Sequence, residues 1–281
     1  MPLFYTHIRY GNKCLDLLQD EYKEIIENNY AYFLCGVQGP NIFKYHSPIT
    51  NKNYLKLSEQ IHNNPIANTL KFVKTEIKNS KNRDAILSYT LGYITHFVLD
   101  SYTNSYLLNS SKIVNTNVNA LKSEIEKYYI HKENINISRL LNKYKISNNL
   151  KITISKILNS KEIIIKQSLS NMVQYSKILY IKNNKLLNFI NAIMKLKCFD
   201  KYRYLFVNDV QIKNTSQILR FEKYFEISKY HCQILLNNYI NYIFNDEKLD
   251  SYFFNTFELL NNEPILTFEE EKQYIIKNIN K

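Results

Sequence analysis

In the segment DAILSYTLGYITHFVLDSYTNSY, His96 and Asp100 stand four residues apart. On a helix that spacing puts both side chains on one face, so an imidazole nitrogen and a carboxylate oxygen can reach one cation without bending the backbone. The same interval carries the stripe through Gly92 and Asn104. Taken alone, such a pair is more often a core histidine hydrogen-bonded to a carboxylate one turn along. Three further signals precede it in order: Thr6-His7, then Gly39-Pro40-Asn41, then His62 at the end of SEQIH. The competing readings are a helix-capping role for His7 and a core role for His62.

These residues need a rigid frame, and the distribution of helix breakers describes one. The chain has four glycines and five prolines, and none of either falls between Gly92 and Pro264. Such a stretch predicts long helices joined by polar turns, hence an all-α fold in a single domain spanning residues 1–281. Apolar periodicity predicts helices over 13–28, 30–36, 54–78 with a perturbation at Pro65, and 84–108. A break follows at 109–117. Further helices are expected over 119–129, 137–144, 150–180, 186–194, 217–244 and 267–279. The segment GVQGPNIFKYHSPIT reads as the one loop rich in backbone-shaping residues. No internal repeat divides the chain.

Lysine and arginine outnumber aspartate and glutamate by 37 to 25, for a formal charge of +12. That sign favours acidic partners, an anionic membrane surface or nucleic acid. The lysines are scattered, no run of five basic residues occurs, and nucleic acid therefore has only net charge in its favour. The cysteines at 14, 35, 198 and 232 show no CxxC spacing, and the N-terminal MPLFYTHIRYGNK has no apolar signal core. Both point to a reduced, cytoplasmic setting. The longest apolar clusters fall far short of a membrane span. Of the remaining histidines, His231 beside Cys232 sits in a helical run and reads as a packing residue; His46 and His131 fall outside the motifs.

The order Thr6-His7, GPN, SEQIH, GYITHFVLDSYTNSY resembles the zinc-dependent phospholipase C family, whose fold is shared with single-strand nucleases. The similarity is clear over residues 1–126 and fainter over 221–236, where FEKYFEISKYHCQILL resembles the family's late core helix. The resemblance implies an all-helical fold and zinc ions that activate water to cleave a phosphodiester, with phospholipid as the substrate class. It assigns His62, His96 and Asp100 to one zinc, and His7 to a neighbouring ion bridged by the same aspartate.

Other positions depart from the family pattern. Where the family continues to a histidine, this chain has Asn104; where it offers HxxxE, this chain has Val118 and Lys122. A slipped alignment would enlist Glu124 or Glu126 instead. Asparagine is a poor zinc ligand, valine is none, and a lysine ammonium repels a divalent ion. Where the family carries an aspartate that takes the proton of the attacking water, this chain has Asn41, which can hold a water but cannot act as a base. The expectation is a phospholipase C-like protein that keeps one zinc site, with a second at His7, and is weak or inactive as a hydrolase. One alternative is an active one- or two-metal phosphodiesterase in which Lys122 steadies phosphate oxygens. Another is a basic helical module for nucleic acid or protein.

Overall fold

The computed structural model describes residues 3–46, 52–180 and 211–257. Among them are eleven α-helices and no strand, so the fold is all-α. The helices are α1 (Phe4–Leu15), α2 (Asp20–Asn28), α3 (Tyr30–Gln38), α4 (Lys52–His62), α5 (Ile66–Asn79), α6 (Arg83–Ile113), α7 (Val118–Lys132), α8 (Ile137–Leu141), α9 (Asn148–Ile157), α10 (Glu162–Leu179) and α11 (Thr215–Phe244). Short 3-10 segments cover Gly39–Tyr45 and Ser251–Phe254. The helices expected over 186–194 and 267–279 lie outside the described residues. No helix among those described is long and apolar enough to cross a membrane.

Helix α6 is the axis of the molecule. It is buried on all sides from Ala85 to Ser101, as expected of a helix that is apolar around its whole circumference, and α1, α2, α3, α5, α7 and α11 pack around it. The tightest crossing is with α3, where Gly36 faces Gly92. A Cβ on Gly36 would lie 2.0 Å from the carbonyl oxygen of Tyr89, so only a residue without a side chain lets the two backbones meet. Gly36→Ala should therefore lower stability by about 3 kcal/mol or more, because the clash is with backbone that cannot rotate away. A fall in Tm of roughly 5–10 °C is expected, and an unchanged Tm would remove Gly36 from the crossing.

With so few glycines, asparagine terminates the helices. Asn115, Asn134 and Asn159 all adopt positive φ, at 47°, 48° and 46°. Each occupies the left-handed position just past α6, α7 or α9, where asparagine is the residue that best replaces glycine. The amide after each reaches back to the helix, Thr116 to Ser111, Ile135 to Ile130 and Ser160 to Ser155, at 2.9–3.0 Å. The starts of α7, α8 and α9 are capped by side chains: Asn117 accepts from the Asn119 amide, Asn136 from Arg139 and Ser147 from Leu150.

The structure departs from the expected elements at five places, the first two set by these caps. The expected 150–180 helix is two, α9 and α10, split at Asn159. The expected break at 109–117 is shorter, since α6 runs on to Ile113 before Asn115 ends it. The expected 54–78 helix is two, α4 and α5, parted just before Pro65; and of the expected 13–28 helix the first three residues close α1, which begins at Phe4 where no helix was expected, while Asp20 and Glu21 supply the acidic first turn of α2, the charge a new helix N-terminus favours. The loop after α3 is partly ordered as the 3-10 segment Gly39–Tyr45.

Candidate metal centre

Three helices bring His7, His62, His96 and Asp100 together. His7 sits in the first turn of α1, His62 is the last residue of α4, and His96 and Asp100 share one face of α6. All four are buried, with exposures of 3, 6, 1 and 5%. Asp100 is the hub: Oδ1 lies 3.0 Å from His7 Nε2, and Oδ2 lies 3.5 Å from the Nε2 atoms of both His62 and His96.

The far nitrogen of every ring is held by a backbone carbonyl. His7 Nδ1 donates to Leu3 at 2.7 Å, His62 Nδ1 to Ser58 at 2.6 Å and His96 Nδ1 to Val37 at 3.1 Å. A carbonyl only accepts, so Nδ1 carries the proton in each ring and the three Nε2 lone pairs face the centre. This is the outer-sphere arrangement that orients histidines for a metal.

The inner atoms form a regular triangle. His62 Nε2 and His96 Nε2 are 3.4 Å apart, and each is 3.5 Å from Asp100 Oδ2. Ligands at about 2.0–2.1 Å from a tetrahedral zinc are separated by about 3.3–3.4 Å, so the three atoms match one face of such a tetrahedron. His7, His96 and Asp100 form a second, looser group, with one ligand atom from each within 4.8 Å of the others. This buried group could hold a metal ion.

Burial and the neighbouring charges shift two of the four residues, His96 and Asp100. Burial, reinforced by His7, His62 and Lys44, pushes the His96 imidazole well below its usual pKa, although Asp100 opposes the shift. Burial alone would raise the Asp100 carboxyl, but His96, His62 and His7 outweigh it and hold it well below the usual carboxylate range. Neutral imidazole and ionised carboxylate are the forms that bind metal.

The triangle opens into a cleft of about 340 Å³. Its lining includes Asn41, Lys44, Glu59, Asn104, Asn119 and Lys122. The Asn41 side-chain oxygen is shielded from solvent and has no hydrogen-bond partner among the described residues. Gly39, two residues before it, has φ 49°, and a Cβ there would come within 2.7 Å of the His96 ring. The turn is thus pressed against the ligand it borders. Lys122 Nζ donates to Asn104 Oδ1 at 3.2 Å, so these two cleft residues pair with each other. Val118 packs against the apolar core instead of lining the cleft; its neighbour Asn119 lines it.

Neither glutamate of the slipped alignment reaches the cleft. Glu124 accepts from the amides of Lys213 and Asn214 at 2.8 and 2.9 Å. Glu126, fully buried, accepts from the Thr6 amide at 3.0 Å, the Thr6 hydroxyl at 2.6 Å, the Tyr5 amide and the Tyr180 hydroxyl. It caps the start of α1 from another helix and so fixes the turn that carries His7. Sequence reasoning also missed Phe257, whose amide donates to the His62 carbonyl at 3.1 Å and whose ring packs 4.8 Å from that of His62 and 5.7 Å from that of His96. A lone phenylalanine far along the chain gives no signal of such a role. His231 is a packing residue, its Nδ1 2.7 Å from the Tyr102 hydroxyl and its ring edge-on to Tyr252.

No protein-family model, no curated protein and no solved structure matches this chain.

Proposed function

We propose that the protein is a zinc-binding, phospholipase C-like helical protein that holds one ion tightly at His62, His96 and Asp100, with His7 completing the group from the other oxygen of Asp100. In this reading it is weak or inactive as a phosphodiester hydrolase. The observation that carries the metal is the contact between His62 Nε2 and His96 Nε2 at 3.4 Å. Both Nδ1 atoms are committed to carbonyls, so two lone pairs face each other in a buried site, an arrangement that costs several kcal/mol unless a cation lies between them. Zinc suits two imidazoles and a carboxylate better than calcium or magnesium, which prefer all-oxygen shells.

When bound, the ion would polarise a coordinated water. Asn41 supplies an orphan acceptor in the same cleft and would hold that water by accepting one hydrogen bond. An amide cannot take the proton away, which is why weak catalysis is favoured over efficient turnover.

Protein purified without chelator should contain about one zinc per chain by elemental analysis, the number set by one closed triangle of ligands. Protein that takes up no zinc, nickel or cobalt would end the metal reading. Three equivalents would show that the Asn104 and Lys122 region still binds metal.

A further inference from the structure

We propose that helices α8 to α10 form a docking surface for an anionic lipid membrane, on which unpaired lysines meet lipid headgroups and exposed isoleucines enter the headgroup layer.

The observation that carries it is where the excess charge lies. Residues 137–213 contain fifteen of the 37 lysines and arginines but only three of the 25 acidic residues, Glu162, Asp200 and Asp209. The rest of the chain is left with 22 of each sign. The whole formal charge of +12 therefore belongs to this one segment, although no run of five basic residues marks it.

The described part of the segment, residues 137–180, folds as α8, α9 and α10, with α8 and α9 both packed on α10. Among its basic residues, Lys156 pairs with Glu76 at 3.3 Å and Lys143 lies over the Tyr30 ring at 5.2 Å. The other six, Arg139, Lys145, Lys151, Lys161, Lys166 and Lys177, form no ion pair among the described residues. All but the half-buried Lys151 are exposed. Elsewhere lysines are met by carboxylates: Lys74 and Lys78 by Asp246, Lys132 by Glu222 and Lys229 by Glu226. Uncompensated cations gathered on one packed unit sustain a field that draws an anionic surface.

The side chains between the lysines select the partner. At about 100° per residue, Ile163, Lys166, Gln174 and Lys177 share one face of α10, and all four are exposed. Ile163 is 64% exposed, and Ile178 and Ile152 follow at 46 and 38%. Isoleucine beside lysine suits the boundary between headgroups and acyl chains, where the aliphatic group is buried and the ammonium meets the lipid's negative charge. Nucleic acid fits less well. Tyr144 and Tyr180 are buried and Tyr175 is only partly exposed, so the described lobe has no fully exposed ring on which a base could stack. Thirteen of the fifteen cations are lysine, whereas arginine is the residue better suited to nucleic-acid recognition.

The test is co-sedimentation of the full chain with vesicles of phosphatidylcholine alone or mixed with phosphatidylserine. Retention is expected only on the mixed vesicles, and it should fall as salt rises. A lysine close to an anionic leaflet contributes about fivefold in affinity, so Lys161→Gln, Lys166→Gln and Lys177→Gln together should weaken retention by at least about tenfold. Lys56→Gln, Lys81→Gln and Lys112→Gln remove the same charge from exposed positions outside the segment and should cost less than about twofold. Ile163→Gln keeps the charge and should still weaken retention, because it removes apolar surface that the lipid would bury. All these positions are exposed, and a thermal melt at the wild-type Tm confirms that each variant folds. Equal losses from the two triple variants would overturn the surface and leave an effect of net charge. Retention of duplex RNA through the same three lysines, with no binding to mixed vesicles, would overturn the lipid assignment in favour of nucleic acid. No metal takes part in the contact, so chelator-treated protein should bind the vesicles as the untreated protein does. Vesicle binding lost on chelation would move the contact to the metal cleft and overturn the proposal, whereas failure of the metal reading is recognised separately, by absence of zinc uptake.

Discussion

Asp100→Asn should reduce zinc affinity by more than about 100-fold, because outer-sphere partners of a metal site already cost about 10–100-fold and Asp100 is the proposed inner ligand. Its carboxylate touches all three histidines, at 3.0, 3.5 and 3.5 Å. It is also the only acidic group in the cluster, so its charge offsets much of the cost of bringing a dication into a buried site. An asparagine in its place keeps the shape and one acceptor oxygen but loses that charge. Asp84→Asn is the control. Asp84 is exposed in the first turn of the same helix, with its contact to Arg83 at 3.4 Å open to solvent, and such surface pairs are worth little. Zinc titration of both variants, with helix content checked by circular dichroism, should show a large loss for the first and none for the second. Equal affinities would remove Asp100 from the site.

The sequence was most informative where the physics is local. His96 and Asp100 are related by one helical turn, and that relation survives folding unchanged. The helix class follows from the scarcity of glycine and proline. Boundaries were harder, because in this chain asparagine does the work of glycine: Asn115, Asn134 and Asn159 end helices at positive φ, yet asparagine is also scattered through helix surfaces, so its presence alone does not mark a stop. Ser147 and Asn159 do bracket α9 at its two ends, and a reading of caps rather than periodicity would have split the 150–180 segment.

What stayed invisible depends on contacts between distant residues. The start of α1 has no side-chain cap of its own; Glu126 provides one from 120 residues away. No local pattern in FYTHIRYGNKCL announces that partner. The same holds for His7 and His62, which sequence reasoning reached only through the order of motifs, and for Phe257, which it did not reach. At the departed positions the structure adds a distinction that alignment could not make. Lys122 and Asn119 line the cleft, while Val118, one turn before Lys122 at the start of α7, is partly buried against the core and lies outside that lining.

The unmodified chain should hydrolyse phosphatidylcholine or a chromogenic phosphodiester weakly or not at all, even with saturating zinc. Removing one preorganised electrostatic group commonly costs about 10²- to 10³-fold in rate, and here Asn41 cannot serve as a base while Asn104 and Lys122 cannot hold a second ion. The deficits do not multiply, because groups that act as a unit are not additive. Asn41→Asp alone should therefore restore little. Replacing Asn104→His and Lys122→Glu along with it, and adding Asn119→His from the face of α7 that lines the cleft, should raise zinc content toward two per chain before any gain in rate appears. The version built with Val118→His should gain less metal, because that side chain points into packing and a histidine there displaces apolar contacts. Activity should follow the second ion, and only in the Asn119 version. Robust zinc-dependent turnover by the unmodified chain, abolished by His96→Ala, would refute the inactive reading and favour a hydrolase that works with one metal and the Lys122 ammonium.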